Sequence, residues 1–177
     1  MNLEQMLEHI RASEEMMKNI TAWVELPARE AVYDDFPEFL DERIIKALEK
    51  RGVRKLYSHQ ASAIRAVHEG RSVVVVTPTA SGKTMCYNIP VMDAILKDES
   101  SRALFIFPTK ALSQDQTAEL HELITEAGVD VKTYTYDGDT PQTARKAIRQ
   151  AGHIVVTNPD MLHSGILPHH TKWTKLF

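Results

Sequence analysis

The sequence predicts an α/β fold, a parallel sheet flanked by helices and preceded by a helical N-terminal extension. Three observations point there. Four strand-like runs, Val73–Val76, Ala103–Phe107, Val131–Tyr136 and Ile154–Thr157, each stand between segments of helical periodicity. Strands that alternate with helices need crossover connections, which favour parallel pairing with helices on the faces. The run Val73–Val76 is entirely β-branched, the composition of a strand buried on both sides.

Taken in order, Leu3, Met6, Leu7, Ile10 and Met17 fall at helical spacing and predict a packing helix from Leu3 to about Ile20. Thr21 to Phe39 holds Pro27 and Pro37 and reads as an extended acidic connector, which puts a domain boundary after residue 40. A helix over Asp41–Arg51 turns Ile44, Ile45 and Leu48 inward and stops at Gly52. Ser58 is a cap for a helix with Ala61, Ile64 and Val67 on its apolar face, ending at Gly70. After the strand at Val73–Val76 come helices over Gly82–Leu96 and Lys110–Ala127, the latter closed by Gly128. Thr140-Pro141 and Asn158-Pro159 are cap-plus-proline pairs that each open a further helix.

With 177 residues the chain has the length of one ordinary domain, enough to bury about two-thirds of its unfolded surface. An apolar content of 43% with 25% charged residues is that of a globular protein and excludes a disordered one. The single cysteine, Cys86, excludes an internal disulfide framework and a multi-cysteine metal site. No apolar run approaches the length of a membrane span and the N-terminus is acidic, so no membrane contact and a cytoplasmic setting are expected. Residues 1–42 carry 11 acidic and 3 basic side chains, while the remainder carries 13 acidic and 18 basic. That mildly basic body is compatible with a polyanion without arguing for one.

The sharpest feature is Thr77-Pro78-Thr79-Ala80-Ser81-Gly82-Lys83-Thr84, which leaves a predicted strand and opens a predicted helix. A phosphate-binding loop requires that context. Small residues let the backbone N–H groups of about Ala80 to Thr84 approach phosphate oxygens, with Thr79, Ala80, Ser81, Gly82, Lys83 and Thr84 as the candidate nucleotide-binding residues, and the helix N-terminus favours the anion. Lys83 would reach the β- and γ-phosphates of ATP, and the Thr84 hydroxyl would ligate Mg²⁺. The full pattern begins with Gly where this chain has Thr77, so the flanking elements carry the reading.

Four neighbouring segments extend it. Leu56-Tyr57-Ser58-His59-Gln60 precedes the loop; Pro108-Thr109-Lys110-Ala111-Leu112, Tyr136-Asp137-Gly138-Asp139-Thr140 and Thr157-Asn158-Pro159-Asp160-Met161-Leu162 follow it, each just after a predicted strand. Ligands of open α/β sheets bind at the carboxyl ends of the strands, so these segments converge on one edge. Lys110 can neutralise a phosphate, and free N–H groups at the helix starts near Thr109 and Asn158 can bond phosphate oxygens. Asp137 and Asp160 suit capping better than phosphate contact.

In that order the segments resemble the motifs of superfamily 2 DEAD/DExH-box helicases, which together with the loop implies the fold of a P-loop NTPase, RecA-like. The resemblance implies that Tyr57 and Gln60 read adenine, since an amide both donates and accepts as adenine's N6 and N7 edge demands. It implies that Pro108, Thr109, Lys110, Gly138, Thr157 and Asn158 face a nucleic-acid strand. The loop, Tyr136–Thr140 and Thr157–His163, followed by Ile166-Leu167-Pro168-His169-His170, are most similar to the MrfA-type, RecQ-like repair helicases of bacteria. Such a helicase moves 3′ to 5′ on single-stranded or forked DNA, with RNA an open second partner. The family's Asp-Glu-x-His box would begin shortly after Phe177, and a second motor lobe would follow, so residues 41–177 form an incomplete first helicase lobe. Asp34-Asp35 lies well before the sheet and is no substitute. These residues alone are therefore expected to bind ATP weakly without turning it over.

Two other readings stand beside this one: a truncated module that holds ATP or DNA without hydrolysis, and a small-molecule kinase, which would have no use for Gln60. His169-His170 reads as a polar loop rather than a metal site, and Trp23 and Trp173 as packing residues rather than base-stacking platforms.

Overall fold

In the computed structural model, which describes residues 2–27 and 30–177, the chain divides into two units, Met1–Ala31 and Val32–Phe177. In the first, helix α1 (Leu3–Ala12) opens on a reciprocal cap. The Asn2 side chain accepts from the Gln5 N–H at 2.8 Å, and the Gln5 side chain accepts from the Asn2 N–H at 3.1 Å. Ser13 is extended, ends α1 and caps the short α2 (Glu14–Met17), so the single helix expected to Ile20 is broken in two. Neither helix buries a residue. Leu3, Met6 and Leu7, expected to pack, are exposed. The Arg11 guanidinium lies 4.7 Å over the Trp23 ring, which accounts for that tryptophan as a packing residue. Residues 28 and 29 of the expected connector lie outside the described residues.

The second unit begins inside what reads as connector. Strand β1 (Tyr33–Asp34) pairs antiparallel with β2 (Leu56–Tyr57), and Leu40 is buried, so residues 32–40 pack with the second unit. Helix α3 (Glu42–Lys50) buries Ile44, Ala47 and Leu48 and is stopped at Gly52, whose φ of 82° suits glycine. Helix α4 (Ser58–His68) follows β2 directly, with Tyr57 rather than Ser58 at its N-cap. Then come α5 (Met85–Lys97), β3 (Ala103–Ile106), α6 (Lys110–Ala127), β4 (Thr133–Thr135), α7 (Gln142–Ala151), β5 (Ile154–Thr157) and α8 (Pro159–Met161). The chain continues through a π turn at Leu162–Ile166 and a 3₁₀ segment at Leu167–Lys172.

Strands β3, β5 and β4 form a parallel sheet in that order, with Ala103 and Thr133 both aligned on Ile154. All four residues of the central strand β5 are buried. Alternate side chains serve opposite faces. Ile154 and Val156 join Ile44, Ile64, Ile89 and Leu120 in one core, while Val155 joins Ile148, Ile166 and Trp173 in another. Burying each such side chain contributes about 2 kcal/mol, so the sheet is held from both sides.

One expected strand is not in this sheet. Val73–Val76 has no ladder partner among the described residues, and Val74 and Val76 are 89% and 88% exposed. Its β-branched composition favours extended backbone, but a strand is completed by a neighbour, and none of the described residues supplies one.

Candidate nucleotide-binding site

Residues Thr77–Thr84 turn from the extended valine run towards α5. Two of them hold left-handed backbone, Ala80 at φ 58° and Gly82 at φ 69°. A Cβ on Gly82 would stand 2.5 Å from Gln60 Nε2, so any other residue there would displace the Gln60 amide as well as strain the left-handed backbone. Helix α5 begins at Met85, later than the expected Gly82, because the Met85 and Cys86 N–H groups close turns onto the Gly82 and Lys83 carbonyls. None of the described residues accepts a hydrogen bond from the N–H groups of Ala80 to Thr84. Consecutive unpartnered N–H groups at a helix start are a site for an anion.

The Lys83 ammonium is folded into the loop, donating to the carbonyls of Pro78 at 2.6 Å and Thr77 at 3.0 Å. The Thr77 and Ser81 hydroxyls, 2.5 Å apart, close the ring beside it. Thr84 Oγ1 donates to Gln116 Oε1 at 3.2 Å, and Tyr87 Oη donates to the same oxygen at 2.5 Å. Burial pushes the Tyr87 hydroxyl above its ordinary pKa and keeps it a donor. A cavity of about 650 Å³ opens here, lined by Thr79–Thr84 and, across from them, Tyr87, Phe107, Leu112 and Gln116. The sequence reading does not include Gln116. Its signal was position: with Ser113 and Leu120, both buried, it shares one face of α6 at spacings of three and four.

Helix α4 supports the loop from below. Gln60 is 2% exposed; its Oε1 accepts from the Tyr57 N–H at 2.8 Å and its Nε2 donates to the Gly82 carbonyl at 2.8 Å. His59 Nε2 lies 3.0 Å from the Ser81 carbonyl. Both ends of the Gln60 amide are therefore engaged by backbone, and reading adenine with them requires giving those bonds up. The Tyr57 ring stacks between Tyr33 and His59, at 5.2 and 5.7 Å between centroids.

At the carboxyl ends of β3, β5 and β4 the other expected residues gather. Pro108, Thr109, Lys110 and Gly138 are exposed and Asn158 is half-buried. Thr109 and Asn158 cap their helices, accepting from the Leu112 and Met161 N–H groups. Lys110 Nζ donates to Asp139 Oδ2 at 2.5 Å, spanning the turns after β3 and β4. Thr157 departs from its expected role. It is 1% exposed and donates its hydroxyl to the Tyr136 carbonyl at 2.7 Å, so its side chain braces the β4 turn and points away from the surface. Asp137 orients that turn, accepting from the Asp139 N–H at 3.0 Å. Trp173 is buried edge-on against Tyr136 at 4.8 Å, a packing residue. His169 and His170 are exposed, and the described residues contain no metal-ligating cluster.

Residues 57–177 match the DEAD/DEAH box helicase family. The chain belongs to that family. It is 55% identical over 176 residues to the ATP-dependent helicase YprA of Bacillus subtilis (strain 168), covering 99% of this chain and 23% of YprA. It is 41% identical to the ATP-dependent helicase hrq1 of Schizosaccharomyces pombe, covering 85% of this chain and 14% of hrq1. The crystal structure of the DUF1998 helicase MrfA bound to DNA and AMPPNP superposes with a TM-score of 0.92 at 55% identity, over 99% of this chain and 24% of that one. The expected likeness to MrfA-type helicases and the RecA-like fold both hold, and the chain spans about a quarter of the length of YprA and of the MrfA chain.

Proposed function

We propose that this helicase domain is the ATP-binding part of a DNA helicase that translocates 3′ to 5′ in genome repair within the cytoplasm. The observation that carries the reading is the loop: unpartnered N–H groups from Ala80 to Thr84, ringed around Lys83 and opening into the cavity. A triphosphate would exchange the Pro78 and Thr77 carbonyls for its own oxygens as partners of the Lys83 ammonium. Mg²⁺ takes oxygen ligands, and the Thr84 hydroxyl at the rim of the same cavity fits it. When bound, the cation would neutralise charge on the phosphates. No residue lining the cavity is acidic, so the residues present would hold ATP without activating water to attack it.

DNA is favoured over RNA by the relatives. MrfA was crystallised with DNA, and a DNA helicase, Hel308 of Pyrococcus horikoshii, is 31% identical over 137 residues, covering 77% of this chain. The exposed Pro108, Thr109, Lys110 and Gly138 would meet the phosphate backbone, which carries no base sequence. The test is direct. A fluorescent ATP analogue and labelled single-stranded DNA are titrated against this chain, and hydrolysis is followed in parallel. Duplexes tailed at either end are then offered to the longer helicase. Binding without turnover, and unwinding only from a 3′ tail, are expected. Failure to bind nucleotide, or preference for RNA or a 5′ tail, contradicts the corresponding part.

A further inference from the structure

We infer that Gln116, on α6, is a positioning residue for the Thr84 hydroxyl, orienting it towards a divalent cation carried by the nucleotide. The inference rests on the nucleotide reading above.

A threonine hydroxyl has one hydrogen and two lone pairs. A free hydroxyl in this loop could spend a lone pair on a neighbouring N–H or aim its hydrogen at the cation, and either would weaken it as a ligand. Here the hydroxyl donates to Gln116 Oε1 at 3.2 Å, which turns its hydrogen towards α6 and a lone pair towards the loop. The acceptor is itself held. Tyr87 Oη donates to the same oxygen at 2.5 Å, and the Tyr87 ring is set edge-on to Phe105, with centroids 5.3 Å apart. With the amide placed this way, its oxygen accepts from both hydroxyls. Gln116 and Leu112 stand on the wall of the cavity opposite the loop, so the contact reaches Thr84 from a different element. A helix-surface glutamine serving only solubility would need none of this.

The experiment uses this chain and the fluorescent ATP analogue, with dissociation constants measured in excess Mg²⁺ and in excess EDTA. The quantity read is the ratio of the two, the magnesium gain. Thr84→Val sets the value without the ligand. Gln116→Met, nearly isosteric but without the carbonyl, should lose about fivefold of the gain and approach Thr84→Val, the size of one hydroxyl hydrogen bond. Gln116→Glu keeps an acceptor and should retain the gain or exceed it. A merely structural role would weaken binding equally in both buffers and leave the ratio unchanged, and that result overturns the inference. Should Gln116→Met fail to fold, Gln116→Glu carries the test, since a lowered gain in it is equally contrary. A wild-type chain that binds no nucleotide in either buffer overturns the nucleotide reading as well, which separates the two failures.

Discussion

Lys110 and Asp139 are joined across the central strand by a 2.5 Å hydrogen-bonded ion pair, so the lysine proposed to meet a nucleic-acid phosphate already has an anionic partner. The Asp139 carboxylate raises the Lys110 pKa above its ordinary value. A phosphate must compete with that carboxylate. Both side chains are largely exposed, which limits the pair to a small effect. Asp139→Asn should therefore tighten binding of single-stranded DNA by about twofold to fivefold. Lys110→Ala should weaken it and reduce the salt dependence by about one phosphate contact. Anisotropy titrations at several salt concentrations measure both. Unchanged affinity in Asp139→Asn would show that the pair does not gate the lysine.

Lys83 makes a second, stronger prediction. Its ammonium is held by two backbone carbonyls that a triphosphate would replace. Removing a charged donor from a nucleotide costs about 1.5–3 kcal/mol, so Lys83→Ala should lower affinity for the ATP analogue about tenfold or more. Circular dichroism would confirm that the variant is folded. Wild-type affinity in Lys83→Ala would remove the loop from the nucleotide site.

Local signals carried most of the fold. Helix α6 runs from Lys110 to Ala127 as its Thr109 cap and left-handed Gly128 dictate. Both are short-range chemistry. Val73–Val76 shows the limit of such signals: its composition specifies extended backbone, whereas a ladder depends on a neighbour that composition does not name. The site divides in the same way. The loop residues line one cavity, and Lys110 opens α6 behind its Thr109 cap. Thr157 turned out to face inward, and the Gln60 amide is consumed by Tyr57 and Gly82, because both facts depend on which backbone atoms tertiary packing brings alongside. Gln116 escaped because a polar residue on a helix face carries no motif.

Acid should expose a different dependence. Asp41 caps α3, and the Arg43 guanidinium forks onto its carboxylate at 2.9 and 2.8 Å. That bonding holds the Asp41 pKa down to about 2, from an ordinary 3.8. A depressed carboxylate pKa means the unfolded state binds the proton more readily, so the contribution is present above the unfolded value and lost as pH falls through the folded one. The difference in melting temperature between wild type and Asp41→Asn should be constant above pH 3.8 and close as pH approaches about 2. A difference that does not change over that window would mean the pair contributes nothing through its charge.

The contact between Gln60 and Gly82 separates loop support from base recognition. Gln60→Ala leaves the half-buried Tyr57 N–H without its partner and the Gly82 carbonyl with only the Met85 N–H, at a cost of about 1–3 kcal/mol. Gly82→Ala should act on the same contact from the other side. Its Cβ would meet Gln60 Nε2 at 2.5 Å, and the left-handed backbone there is unfavourable for alanine. Both variants should melt lower and bind nucleotide less well, and because the damage is to the loop, ATP and GTP should lose affinity by the same factor. Competition titrations with the two nucleotides decide it. A loss in Gln60→Ala confined to ATP would mean that the amide leaves the loop when nucleotide binds and reads the base instead.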